Sequence, residues 1–457
     1  MMPDPQIVKA KANRQRRIAK RRRNLYDSYG ALPLLFVLCL AAVLSPYALQ
    51  AQTNEWIPSD VRSVDVARQV GLTTGWFRII QHGAAAPAEP LEIAILDTGV
   101  DDNIADLQKV SDRVNFTDEP VDQTNPDPGS HGTAMASIIC AHANDPVSDV
   151  HAGIAGILGV FVQDARLLDV KVIKSTDESA IPGDRVADAL NYLNNRFDSG
   201  HHILAANLSL NCTDTPKLRA AIMDAATRKI ILFCAAGNSG TEVTADSGPF
   251  PAGYSKSPGM DNVVAVGGVD HQNFWDPFTD FSPQLVAFAG PSRDVPVDLP
   301  FAGGVNGNAC CSSAATAMVC GIYCAIRIYI EPDPDVALLR LEQTCTPIAD
   351  TTPRFRFGIP NLGAALDPTF TPVQPQTPVI ANVTWARKDL TITGDRFGSS
   401  PKILINGVDR TSRLVSESDT EIVLHTKAKK LGLKSGENNI QVFDSTGAAS
   451  NTFVLTL

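Results

Sequence analysis

Outside its first 30 residues this chain of 457 has no basic stripe. Those 30 carry nine Lys or Arg against Asp4 and Asp27, a charge of +7 in a chain of net −10, so the remainder holds −17. An acidic body of that kind repels phosphate backbones and argues against nucleic acid as a partner. No Cys-x-x-Cys pair stands with a zinc-type His spacing, so zinc is not indicated. Charged residues make up 19% and hydrophobic ones 44%, which excludes a disordered or fibrous chain. The uncharged run at residues 31–44 (ALPLLFVLCLAAVL) falls short of the roughly 20 residues a bilayer requires.

What is present divides the chain. Single cores stop growing near roughly 250 to 300 residues, so two domains are expected. The basic tip, the short apolar run and the small residues Ala48 and Ala51 form the pattern of a secretory signal over residues 1–51. Export, to the cell surface, the periplasm or beyond, follows from that reading, and membrane attachment only if the segment is retained. Arg16 and Arg17 also permit twin-arginine export. After Cys39, eight cysteines remain, an even number whose connectivity cannot be deduced. Four prolines in residues 367–378 (DPTFTPVQPQTP) mark an extended linker.

Upstream of the linker, over residues 52–366, short apolar runs at 91–96, 167–173, 203–210, 230–236 and 263–269 predict buried strands. Helical patterns at 134–140, 185–196 and 217–227 alternate with them, which predicts a parallel sheet flanked by helices, an α/β fold. Downstream, over 379–457, apolar pairs alternate with polar residues (Leu390 and Ile392, Ile403 and Ile405, Ile422 and Leu424, Ile440 and Val442) between glycines. That is the pattern of a small all-β sandwich. A monomer is expected.

The first strand delivers Asp97 at its carboxyl end, where open parallel sheets carry functional loops. His131 opens a helical pattern; the positive end of a helix dipole disfavours imidazolium, so His131 is expected to stay neutral and act as a base. Residues 230–236 lead into Gly237 and Asn238, a strand followed by a turn that presents the Asn238 amide. Ser313 stands at the first turn of a predicted buried helix over 314–328, where free backbone donors favour an oxyanion. Taken singly, each of these residues reads as an ordinary turn or cap; together no fold requirement explains them.

The segments ILDTGVD around Asp97, SHGTAMAS around His131, ARLLDVKVI, NLSL, AAGNSG around Asn238 and SSAATAMVCG around Ser313 resemble the successive motifs of the subtilisin-like serine proteases, in that fold's Asp, His, Ser order. The resemblance extends from about Asp97 to Leu366. It implies hydrolysis of protein or peptide substrates with Ser313 as nucleophile, His131 as general base and then acid, Asp97 as its orienting partner and Asn238 as an oxyanion donor. By the same resemblance Ser209, Leu210, Ala235 and Gly237 line the substrate pocket, whose small floor suggests a roomy, apolar site. No cofactor is implied for catalysis. A structural calcium is implied at Asp106 and Asn144, oxygen ligands of the kind that ion takes. Residues 379–457 resemble the IPT/TIG immunoglobulin-like domains through LTITGDRFG, ILING and SDTEIV, which implies an adhesive or spacing role.

Around the nucleophile the family usually has Gly, Thr, Ser and, four residues later, Pro; this chain has Cys311, Ser312, Ser313 and Ala317. Ser313 is preferred to Ser312 because it stands eight residues before Gly321, as the family's spacing requires. Cys311 is expected to crowd the strand-to-helix turn. These departures motivate an alternative reading, a catalytically inactive binding protein on the same fold.

Overall fold

The computed structural model describes residues 61–82, 91–104, 107, 110–120, 122, 124, 126–141, 155–159, 165–174, 181–244, 248–299, 305–373, 377–398, 400–444 and 447–457. The described chain falls into two compact units that divide between Thr371 and Pro372. The expected signal segment lies outside the described residues.

The first unit opens with helices α1 (Val61–Gln69) and α2 (Leu72–His82). Strand β1 (Leu91–Asp97), strand β2 (Val110–Asn115), helix α3 (His131–Cys140), strand β3 (Ala165–Lys171), helix α4 (Gly183–Asp198) and strand β4 (His202–Leu208) follow. Next come helix α5 (Pro216–Thr227), β5 (Ile231–Ala235), β6 (Val263–Val269), β7 (Val286–Pro291), the hairpin β8 (Val295–Leu299) and β9 (Val305–Ala309), and helices α6 (Cys311–Tyr329), α7 (Pro334–Gln343) and α8 (Leu362–Ala365). Seven strands form one sheet in the order β2-β3-β1-β4-β5-β6-β7, with every pairing parallel.

The apolar runs explain the middle of this sheet. In β1, β4, β5 and β6 nearly every residue is buried, as a strand covered on both faces requires. Two strands carry no such signal in the sequence. Strand β2 (VSDRVN) lies at the sheet edge with no wholly buried residue, and β7 (VAFAGP), fully buried, mixes Gly and Pro into a short run.

Helix α6 runs through the core. Residues 314–326 are all buried, and although the helix is long and apolar enough to cross a membrane, 78% of its apolar window is packed inside the unit. Gly321 admits α3 and the segment after it: a Cβ there would stand 3.0 Å from the Ile157 side chain and 3.5 Å from the Ile139 Cα. Trp76 of α2, also fully buried, donates from Nε1 to the Ile157 carbonyl at 3.0 Å.

The second unit contains two four-stranded antiparallel sheets, residues Val379–Ala386, Asp389–Asp395, Leu414–Glu417 and Glu421–His425 in one, and Lys402–Ile405, Val408–Asp409, Glu437–Phe443 and Phe453–Thr456 in the other. The eight alternating apolar residues named from the sequence are all wholly buried and form its core. The tight turn after Lys402–Ile405 uses Asn406 and Gly407, both at positive φ (51° and 76°), the residues a two-residue hairpin favours.

Candidate active site

Three neighbouring strands of the sheet, β1, β4 and β5, send their carboxyl ends to one rim, and the helices α3 and α6 begin there. Asp97 is the last residue of β1 and wholly buried. Its Oδ1 accepts the Thr98 N–H at 2.8 Å and lies 2.8 Å from Nδ1 of His131, the first residue of α3. An ionised carboxylate only accepts, so Nδ1 carries the imidazole proton and Nε2 is left with its lone pair. This close approach depends on glycine. A Cβ on Gly132 would fall 2.1 Å from the Gly99 carbonyl and 3.0 Å from the Asp97 Cβ.

The His131 side chain is 38% exposed, open to a substrate on one side and bound to a buried carboxylate on the other. Burial lowers its proton affinity, but the charge and hydrogen bond of Asp97, with a further contribution from Asp127, outweigh that and raise it above the ordinary histidine value. This direction is opposite to the one the helix dipole alone would give. A full charge in contact dominates the partial charge of a helix end.

The second group of residues gathers where α6 begins. Ser312 is completely buried, and its backbone N–H (2.9 Å) and Oγ (2.7 Å) both donate to Oδ1 of Asn238, in the turn after β5. With Oδ1 fixed by two donors, the exposed Asn238 amide is oriented, and its Nδ2 has no hydrogen-bond partner among the described residues. Ser313 is only partly buried; its Oγ donates to the Ser209 carbonyl at 3.4 Å, and Ser209 Oγ donates to the Ser313 carbonyl at 3.0 Å. Buried Ser312 serves Asn238, and the more accessible Ser313 holds its hydroxyl only by a long bond to Ser209. The structure thus pairs Asp97 with His131, and gathers Asn238, Ser209 and Ser313 separately on the same rim. Among the described residues no hydrogen bond joins His131 to Ser313.

Cys311 begins α6 at φ +71°, in the left-handed region that favours glycine, and its N–H donates to the Ser292 carbonyl at 2.8 Å. The crowding expected at this turn takes the form of backbone strain. Burial and the neighbouring Cys310 push the Cys311 thiol up to about 12. Cys311 and the other seven described cysteines are in the reduced, thiol form.

Of the pocket residues, Ser209, Leu210 and Ala235 are buried and Gly237 is partly so, at φ +111°. Gly237 leaves no room for a side chain: a Cβ there would stand 2.1 Å from Asp280 Oδ2 and 2.9 Å from Pro249 Cγ. Asp280 is a residue that sequence reasoning missed. Its Oδ1 accepts the N–H groups of Ser239 (2.9 Å) and Thr241 (2.8 Å), and its own N–H donates to the Gly237 carbonyl at 2.8 Å, which clamps the turn carrying Asn238. In the sequence it reads only as an aspartate in the long connection between β6 and β7. Asp106 and Asn144 lie outside the described residues, and among the described residues no three His, Cys, Asp or Glu side chains group to hold a metal.

The sequence model of the subtilase family, peptidase S8, matches residues 90–331, more than half of the chain. The major intracellular serine protease of Bacillus subtilis (strain 168) is 28% identical over 214 residues, covering 46% of this chain and 60% of that protein. Subtilisin NAT of Bacillus subtilis subsp. natto is 28% identical over 244 residues, covering 52% of this chain and 56% of that protein. The chain thus spans less than two thirds of the length of these relatives. A solved structure of the protease domain of PatA aligns with a TM-score of 0.48 at 22% identity, over 62% of this chain and 96% of that one. With its motifs in order along the sequence and its parallel sheet carrying them at one rim, the chain belongs to the subtilase family.

Proposed function

We propose that this chain is a serine endopeptidase that cleaves protein or peptide substrates through an acyl-enzyme. The observation that carries this reading is the Asp97–His131 contact, 2.8 Å between a wholly buried carboxylate and an accessible imidazole, on the rim where Ser313 is partly accessible beside an oriented Asn238.

In the reaction Ser313 Oγ attacks the scissile carbonyl carbon as His131 Nε2 takes its proton, a step that requires the Ser313 hydroxyl to turn from Ser209 toward His131. Asn238 Nδ2 and the free N–H of Ser313 at the helix start stabilise the oxyanion. The C–N bond then breaks as His131 returns the proton to the leaving amine, and water, activated by the same histidine, releases the acyl group and regenerates the hydroxyl. Asp97 holds the tautomer and stabilises the imidazolium.

The basic tip and apolar run support export, and the alternating strands with their hairpin glycines support an IPT/TIG-like role for residues 379–457 as a spacer or adhesive module. A second reading, an inactive binding protein on this fold, is favoured by the strained Cys311 and by the Ser313–Ser209 hydrogen bond. The test is casein hydrolysis by the purified full chain and by Ser313→Ala. Hydrolysis lost in a folded variant supports the peptidase; no hydrolysis by the parent chain supports the inactive reading.

A further inference from the structure

Helix α3 is not capped in the usual way. Ser130, at its N-cap position, is left-handed (φ 55°), and its hydroxyl donates to the Gly129 carbonyl, leaving the first-turn amides without it. Asp127, three residues earlier and wholly buried, fills that role. Its Oδ2 accepts the Thr133 N–H at 2.8 Å and the Thr133 hydroxyl at 2.5 Å, while its backbone carbonyl accepts the Ser130 N–H at 3.1 Å. The Thr98 hydroxyl accepts the Gly132 N–H at 2.9 Å, and its nearness favours the ionised form of this carboxylate. Asp127 therefore holds the Thr133 amide, while Thr98, beside the strand end that carries Asp97, holds the Gly132 amide.

A neutral amide would satisfy such a cap. An acid here instead places a second negative charge beside the Asp97–His131 pair, in a setting where Asp127 Oδ1 and Asp97 Oδ2 are both buried with no hydrogen-bond partner among the described residues. We propose that Asp127 is a positioning residue of the catalytic histidine, one that fixes the start of α3 through Thr133 and Ser130 and whose buried charge strengthens His131 as a base. The inference rests on the assignment of His131 as the base and adds a carboxylate that the triad does not include.

The charged groups around this network are few. Asp97 lies at the end of β1 and Asp101 just beyond it. On β3, Asp169 is paired at 2.6 Å with Arg113 of β2, and Lys171 is paired at 3.0 Å with Glu119. Arg113 and Lys171 are thus engaged elsewhere: the Arg113 guanidinium bonds Asp169, Asp102 and the Val100 carbonyl, and Lys171 bonds the Thr98 carbonyl and Glu119. No cation is bonded to the Asp127 carboxylate among the described residues, so its field reaches His131 uncompensated. That agrees with the direction found for both groups: burial first, and Asp97 in addition, raises the proton affinity of Asp127, while Asp127 adds to the rise at His131.

The test is the titration of His131 followed by NMR of histidine-labelled full chain carrying Ser313→Ala, which prevents autolysis, with the resonance identified by His131→Gln. Asp127→Asn keeps an acceptor for the Thr133 N–H and removes the charge, and is expected to lower the His131 midpoint by about half a pH unit or more. In chain with Ser313 intact, the acid limb of kcat/KM shifts down by the same amount. A folded Asp127→Asn chain whose His131 midpoint is unmoved overturns the proposal. If Asp127→Asn does not fold, Thr133→Val serves: it removes the hydroxyl donor that favours the Asp127 anion, so the His131 midpoint must again fall, and an unchanged midpoint overturns the inference. Because the titration needs no turnover, an inactive chain leaves this test intact and counts against the peptidase reading alone.

Discussion

Ser312 and Ser313 are adjacent hydroxyls at the start of one helix, and the account assigns them opposite roles. Ser312 is buried and gives both its donors to Asn238 Oδ1; it orients the oxyanion amide and has no other task. Ser312→Ala removes the 2.7 Å hydroxyl bond and keeps the 2.9 Å backbone one. One such bond is worth about 0.5–1.5 kcal/mol net, so kcat should fall about 2- to 13-fold. Asn238→Ala removes the amide itself; for the corresponding donor of a subtilisin that loss is about 100- to 1,000-fold, a magnitude taken from that relative. If Ser312 acts only through Asn238, the double variant should be no slower than Asn238→Ala alone, and the coupling should equal the whole Ser312 effect. The assay is kcat on a chromogenic peptide anilide at saturation for all four proteins, with Tm measured alongside to confirm folding. Equal loss from Ser312→Ala in both backgrounds refutes the orienting role. Complete loss of activity in folded Ser312→Ala makes Ser312 the nucleophile and refutes the assignment of Ser313.

The raised proton affinity of His131 places the acid limb of kcat/KM above the ordinary histidine value of about 6.5, and a pH profile with its midpoint below that value contradicts it. The same shift has a stability sign: the contribution is complete below the unfolded value, falls as pH rises between the unfolded and the higher folded value, and is lost above it, which a Tm series across neutral pH for parent and His131→Gln measures. Cys311→Gly should leave the fold unchanged and raise Tm, because relief of a left-handed residue is worth about 1–2 kcal/mol against about 0.5–1 kcal/mol of added chain entropy; a fall in Tm contradicts the strain argument. Asp280→Ala frees two N–H groups of the turn carrying Asn238 and should lower kcat about tenfold or more, by loosening the oxyanion amide; unchanged kcat in a folded variant removes Asp280 from the account.

Much of this was legible in the chain because strand burial and motif chemistry coincide. The runs at residues 91–96 and 230–236 are apolar because β1 and β5 lie in the middle of the sheet, and the same strands end at Asp97 and just before Asn238. The alternating pairs of the second unit were readable since each sheet there has one buried face. What escaped is what depends on contacts distant in sequence. Strand β2 carries Ser111, Asp112 and Arg113 where an inner strand would be apolar, and its pairing to β3 at the edge is fixed only by the folded chain. Asp280 lies about 40 residues after the turn it clamps, and nothing local distinguishes it from a loop aspartate. Asp127 is four residues from His131, yet its burial and its two bonds to Thr133 appear only once α3 packs against β1. The upward direction at His131 was hidden for a related reason: the dipole is local to the helix, whereas the carboxylate that acts against it comes from a strand 34 residues earlier.

The most direct measurement is peptide mapping by mass spectrometry after the folded full chain reacts with a fluorophosphonate. The account predicts a single phosphonyl adduct on Ser313, absent from Ser313→Ala and strongly slowed in His131→Gln. An adduct on Ser312, or none on folded chain, contradicts it.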